Sequence, residues 1–188
     1  MNVCIIGDGL TSLLLAKSLI SKNINVSLFY NKKRKKKIIT RTIGLAKANF
    51  NYVNLNILNI MDISWNIKKI EIYSEKNLNK KILNFDNDRE TLFTMVKSHE
   101  LYNKLSLTLK KNKLFKKKII TSDHLLKGLI INNDYDLILN CDYNNYFTNK
   151  FFHRKLKKNY NNFAYTTLMK HKPILQNNVE TQIFKEKG

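Results

Sequence analysis

VCIIGDGLTSLLLAKSLI, residues Val3 to Ile20, decides how the rest of the chain is read. Val3-Cys4-Ile5-Ile6 is a short unbroken apolar run, the pattern of a strand buried on both faces. Gly7-Asp8-Gly9 supplies a tight turn. From Thr11 to Lys22, residues Leu13, Leu14, Ala16, Leu19 and Ile20 recur at helical spacing. Ile24 to Tyr30 then reads as a second strand. Strand, glycine turn, helix and strand within about thirty residues form one βαβ unit, for which a right-handed crossover is expected.

A turn of this kind can seat a dinucleotide if three positions are small. The first allows the bend, the second lets backbone N–H groups approach a pyrophosphate, and the third lets helix and strand pack closely. Gly7, Gly9 and Ser12 occupy those positions, serine at some packing cost. The helix that follows the turn would direct its unpaired N–H groups and partial positive charge toward the phosphates. An acidic residue about 20 positions on should end the second strand and hold the ribose hydroxyls. Tyr30 stands there instead, followed by Asn31, and a phenol binds ribose less strongly than a carboxylate does.

The chain has 188 residues, 43% of them hydrophobic, enough for one domain with a small appended lobe and too apolar for a disordered chain. Its net charge is +20, which taken alone points to nucleic acid or an anionic membrane surface. Only four of the 34 basic residues are arginine: Arg34, Arg41, Arg89 and Arg154. Lysine, asparagine and isoleucine abound throughout, as an AT-rich coding sequence would produce for any function. Arginine is the usual reader of phosphates and bases. The charge therefore reads as a solvated surface, and a nucleic-acid partner is not favoured.

Cys4 and Cys141 lie in separate apolar runs with no CxxC spacing, so reduced, buried thiols in a cytoplasmic protein are expected. His99, His124, His153 and His171 have no ligand partners at metal-binding offsets, and no metal site is expected. No basic segment precedes the opening apolar run, which Asp8 and two glycines interrupt. Neither a leader peptide nor a spanning helix is expected there or later.

Further along, Asn31 to Lys37 is a charged loop, Ile38 to Ala46 is extended, and Lys47 to Ile60 is helical. Lys68 to Glu75 and Lys80 to Asp86 alternate apolar and polar residues around an asparagine-rich turn, the pattern of an antiparallel hairpin. Thr91 to Val96 is a strand and Ser98 to Lys111 an amphipathic helix. Gly128 to Asp142 reads as two strands about Asn132-Asn133, the second central. FAYTTLMK, from Phe163, and ETQIFK, from Glu180, are two more strands. The fold class expected is α/β, with the hairpin and terminal strands forming a separate antiparallel patch.

In order along the chain, these segments resemble the FAD-dependent aromatic-ring monooxygenases of the para-hydroxybenzoate hydroxylase type, most closely the ubiquinone-biosynthesis hydroxylases. CIIGDGLTSLLLAKSL is similar to the family's opening GxGxxG segment. RTIGLAKANFNYVNLNI, from Arg41, is similar to its Arg-x-x-Gly/Ala-Leu stretch, and LFTMVKSHELYNKL, from Leu92, to the strand and helix after its substrate-domain hairpin. YDLILNCDYNN, from Tyr135, stands where the family has Ala-Asp-Gly, with Asp142-Tyr143 in place of the Asp-Gly pair. YNNFAYTTLMKHK and VETQIF resemble the substrate-domain strands that follow. The family's later Gly-Pro-x-Ala-x-Leu-Pro and Gly-Asp-Ala-x-His motifs are not in this sequence, so the resemblance implies an N-terminal portion.

The resemblance implies a Rossmann-like FAD-binding domain in residues 1–66 and 91–150, and part of a substrate domain in 67–90 and 151–188. It implies FAD as cofactor, NAD(P)H as reductant, and hydroxylation of a small aromatic ring, prenylated if it is a ubiquinone precursor. Such a substrate would bring peripheral contact with the inner membrane, and an oligomer or complex fits the same reading. Gly7, Gly9, Leu10 and Ser12 would lie along the pyrophosphate, Tyr30 at the ribose, Arg41 and Lys97 beside the flavin, and Asp142 at the degenerate Asp-Gly site. The cofactor carries this chemistry, so no catalytic residue is singled out, and a chain of this length is expected to be inactive alone. Two other readings compete. One is a basic nucleic-acid-binding protein using KKRKKK and KKNKLFKKK; the other is a folded remnant that binds nothing.

Overall fold

In a computed structural model the structure describes residues 1–31, 41–86, 90–132, 134–152, 158–161, 163, 165, 167 and 178–184. The chain gathers into two compact units. One comprises Met1–Ile39 and His99–Thr166, the other Thr40–Ser98 and Thr167–Gly188. Residues 41–66 and 91–98, grouped with the nucleotide-binding half on sequence grounds, thus fall by compactness with the hairpin.

The first unit is built on the predicted βαβ. Strand β1 (Asn2–Ile6), helix α1 (Leu10–Ile20) and strand β2 (Asn25–Tyr30) follow one another, and β1 pairs β2 in parallel from Asn2↔Asn25 to Ile6↔Phe29. Two further parallel strands, β8 (Phe115–Ile119) and β9 (Leu137–Asn140), give the order β8-β2-β1-β9. Side chains alternate across this sheet. Cys4, Ile6 and Phe29 turn to one face, where Leu126 and Leu129 of α4 (Asp123–Ile131) and Phe147 of α5 (Tyr146–Phe151) close over them. Val3, Ile5, Val26 and Leu28, of the opposite parity, are also fully buried. The neighbouring helices bury Leu13 and Ala16 of α1 and Leu101, Leu105 and Leu109 of α3 (Ser98–Lys110). Burial on both faces is why β1 reads as a continuous apolar run.

The second unit holds two small sheets. Strands β3 (Thr42–Ala46), β7 (Phe93–Lys97) and β4 (Ser64–Ile67) form an antiparallel sheet in the order β3-β7-β4. Strands β5 (Lys69–Ser74) and β6 (Asn77–Asp86) make the expected hairpin, and β10 (Val179–Phe184) lies on its β5 side. The hairpin turn is Glu75-Lys76, tighter than the asparagine-rich turn expected, and Asn77 already belongs to the strand.

Several local expectations are corrected. Gly128 to Ile131 is not a strand but the end of α4, whose N-cap is Ser122, its hydroxyl accepting from Leu125 N–H at 3.4 Å. The β-branched residues at its end imitate a strand; Leu125, Leu126 and Leu129 carry the helical spacing. Strand β9 is present but lies at the sheet edge rather than its centre, pairing β1. Of its apolar residues, Ile138 packs against the cluster under α4 and α5. Strand β10 runs parallel to β5, so that sheet is mixed rather than antiparallel. The helix expected from Lys47 to Ile60 is α2 (Lys47–Tyr52) followed by a π-helical turn, Val53–Ile57. Asparagine side chains compete for its backbone: Asn56 Nδ2 donates to the Tyr52 carbonyl, and Asn54 Oδ1 accepts from Ile60 N–H. Strand β8 and helix α5 were not anticipated. The loop at 32–37 and most of the Phe163 strand lie outside the described residues.

Candidate functional site

Parallel strands open their carboxyl ends onto one edge of the sheet, where ligands of such folds bind. The β1–α1 loop emerges at that edge in the first unit. Gly7 has φ +112°, the left-handed region that an L side chain rarely enters. Its N–H donates to the Phe29 carbonyl at 2.8 Å, pinning the bend to β2. A Cβ added at Gly7 would meet Ser12 Oγ at 3.2 Å and the Cys141 carbonyl carbon and oxygen at 3.3 Å. Gly7 is therefore required by conformation and by space together. Ser12, the third small position, is fully buried against it.

Gly9 differs. As N-cap of α1 it has φ −76° and ψ 176°, a conformation open to any residue, and a Cβ added there would meet nothing within 4 Å. The space beside Gly9 at the helix start is open. No side chain caps this helix, and its first turn has no acidic residue. The leading N–H groups of α1, beginning with Leu10, are the orphan donors of a helix start. Donors of this kind, with open space beside them, fit a diphosphate.

The far wall comes from β9. Cys141 N–H donates to the Ile6 carbonyl at 2.9 Å, which brings the β9–α5 loop against Gly7. Asp142 starts that loop, its carboxylate accepting from Asn144 N–H at 3.1 Å. Asn140, Asn145 and Thr148 tie the same loop together. Thr148 Oγ1 donates to the Asp142 carbonyl at 2.9 Å and Asn145 Nδ2 donates to Asn140 Oδ1 at 2.7 Å. Side-chain bonds thus fix a loop that has Tyr143 where a glycine was expected, and Tyr143 itself stands exposed.

At the ribose position Tyr30 ends β2, half-buried. Lys117 of β8 lies over its ring with Nζ 4.4 Å from the centroid, and Lys117 Nζ also sits 3.7 Å from Asp8 in the loop. A cation on an aromatic face, with the Asp8 carboxylate beside it, borders this end of the site. Sequence reasoning missed Asp8 and Lys117. Phe115–Ile119, three consecutive lysines between two apolar residues, carries no strand signal in the sequence.

The structure thus gathers Gly7, Gly9, Leu10, Ser12, Tyr30 and Asp142 at one edge of the first unit. Arg41 and Lys97 belong to the second unit and neighbour one another there: Thr42 pairs Lys97, and Ser98 N–H donates to the Arg41 carbonyl at 3.0 Å. Among the described residues, no helix is long and apolar enough to cross a membrane.

No protein-family model and no curated protein matches the chain. Solved structures do. PqsL of Pseudomonas aeruginosa, in complex with 2-aminobenzoylacetate, is similar with a TM-score of 0.53 at 13% identity, over 63% of this chain and 33% of its own. A second structure of that protein, described as a probable FAD-dependent monooxygenase, gives 0.51 over the same 63% of this chain. FqzB gives 0.50 at 13% identity, with 28% of its chain covered. These likenesses establish the fold, mixed α/β with a parallel sheet and antiparallel sheets. The chain spans about a third of the length of the structures it matches.

Proposed function

We propose that this chain is the dinucleotide-binding portion of an FAD-dependent aromatic-ring monooxygenase. The observation that carries the reading is the β1–α1 loop itself, packed against the end of β9 at Gly7 and open at Gly9. Gly7 is forced by its geometry, Gly9 is spared by its geometry and so kept for space, and the helix behind them is uncapped. Leu10 and its neighbours in the first turn would hold the diphosphate of FAD through N–H donors. Tyr30 and Lys117 would border the adenosine ribose, and Ser12 and Asp142 would set the floor. On the sequence resemblance, Arg41 is the side chain proposed to lie against FAD, with Lys97 a further candidate.

FAD bound there would supply electron transfer from NAD(P)H and the activation of O₂ for ring hydroxylation; the protein's residues bind and orient it and exclude water. The complex of PqsL with 2-aminobenzoylacetate supports a small aromatic substrate, and the sequence resemblance supports a ubiquinone precursor. The test is flavin retention. Protein purified and incubated with FAD is expected to hold it through gel filtration, with bound-flavin absorbance. Gly9→Val, which places a branched side chain in the open space at the helix start, is expected to lose it while thermal melting verifies that the protein stays folded. Equal flavin content in both proteins would overturn the site assignment.

A further inference from the structure

Of the second lysine-rich run, KKNKLFKKK, only Lys117 enters the reading above, and the structure gives the others a definite place. Its Phe115–Ile119 segment is β8, an outer strand of the parallel sheet in the first unit. Alternation divides its lysines between the two sheet faces. Lys117, in register with Leu28, turns toward Tyr30 and Asp8. Lys116 and Lys118, in register with Ser27 and Phe29, turn to the α4 face.

On that face two hollows adjoin, of about 360 and 650 Å³. Lys118, Asp134 and Tyr135 line both and so form the seam between them. The smaller hollow takes Lys113 and Lys116 from the β8 side, and the larger takes Lys127 from α4. At the seam Lys118 Nζ donates to the Tyr135 hydroxyl at 3.2 Å and lies 5.3 Å from the Phe29 ring centroid. Gly128 of α4, with nothing within 4 Å of an added Cβ, leaves the larger hollow roomy. The result is a groove with exposed ammonium groups along its length and an aromatic ring at its middle. Asp134 is the acidic residue on its wall.

We propose that this groove binds a single strand of nucleic acid, without regard to sequence. Charge complementarity names the occupant: a row of cations tracks a phosphodiester backbone, and midway along it stands the half-buried Tyr135, its ring edge-on to Phe29 and its hydroxyl bonded to Lys118. The cations are lysines, point charges that hold phosphate but do not read bases in pairs as arginine does. In sequence the lysine excess weighed nothing, because it is spread everywhere. Its placement on one wall of a groove carries the inference, which is independent of the nucleotide reading of the β1–α1 loop.

The test is fluorescence anisotropy with a labelled twelve-residue oligouridylate over a salt series. Wild-type protein is expected to bind, with affinity falling steeply as salt rises. Lys113→Gln, Lys116→Gln and Lys118→Gln together should weaken binding about tenfold or more and reduce the log–log salt slope by about 2, at roughly 0.7 per phosphate contact on a single strand. All three side chains are exposed, so the fold should survive, as thermal melting would verify. Tyr135→Leu should weaken binding severalfold with the slope unchanged. The same charge removed elsewhere, at exposed Lys22, Lys80 and Lys158, should change the slope by less than about 1. Three results would each overturn the proposal: no binding at low salt, equal loss from the distant triple variant, or heparin or duplex DNA binding as tightly as the single strand.

Discussion

Gly7 and Gly9 stand two residues apart and answer to different forces. At Gly7 an alanine would have to hold φ near +112° and press its methyl on the Cys141 carbonyl. Gly7→Ala is expected to cost about 1–3 kcal/mol, read from denaturant unfolding. At Gly9 the added methyl meets nothing. Losing the glycine at the N-cap costs a little, and the stiffer unfolded chain returns a little, so Gly9→Ala should change stability by less than about 1 kcal/mol. Its effect should fall on nucleotide affinity instead. The cysteines divide as sharply. Burial pushes the Cys4 thiol up to about 12, with Lys118 opposing weakly, while Cys141 is half-buried. A thiol reagent at pH 8 is expected to titrate Cys141 in the native protein and Cys4 only after unfolding; two equivalents reacting at once would contradict the buried β1 strand.

At the scale of elements, the hairpin of β5 and β6 carries a charge network on one face. Glu71 is held by Lys81, Tyr73 and Lys69, and these hydrogen bonds bring its carboxyl down from 4.5 to about 2. A depressed carboxylate adds stability that is fully present above the unfolded value. That stability is lost as pH falls through the folded one. Acid unfolding of the hairpin should therefore steepen between about pH 4.5 and 2, and Glu71→Gln should flatten that interval; identical profiles would show that the network contributes nothing. The elements also show what a sequence discloses. The strand β1 announces itself because burial on both faces dictates its composition, and the hairpin because apolar and polar residues alternate along its strands, although β6 stays exposed from Lys81 to Asp86. The end of α4 misled because Ile131 and its neighbours look the same in a buried helix as in a strand. Strand β8 was hidden because an edge strand with solvent-facing lysines has no apolar signature.

For the whole molecule, the glycine loop was legible because a tight bend and a close approach each demand a particular small residue at a fixed place. Lys117 was not, since its role comes from β8 pairing with β2 across a long stretch of chain. Asp142 could be named in advance, but the Asn140–Asn145–Thr148 bonds that hold its loop could not. All of these features serve one claim, that the amides opening α1 hold a diphosphate. An amide-resolved NMR titration of the protein with ADP tests it most directly. The account predicts saturable shifts centred on Gly9, Leu10, Thr11 and Ser12, absent in Gly9→Val. A folded protein whose loop amides stay unmoved at millimolar ADP, or whose shifts gather elsewhere, would contradict it.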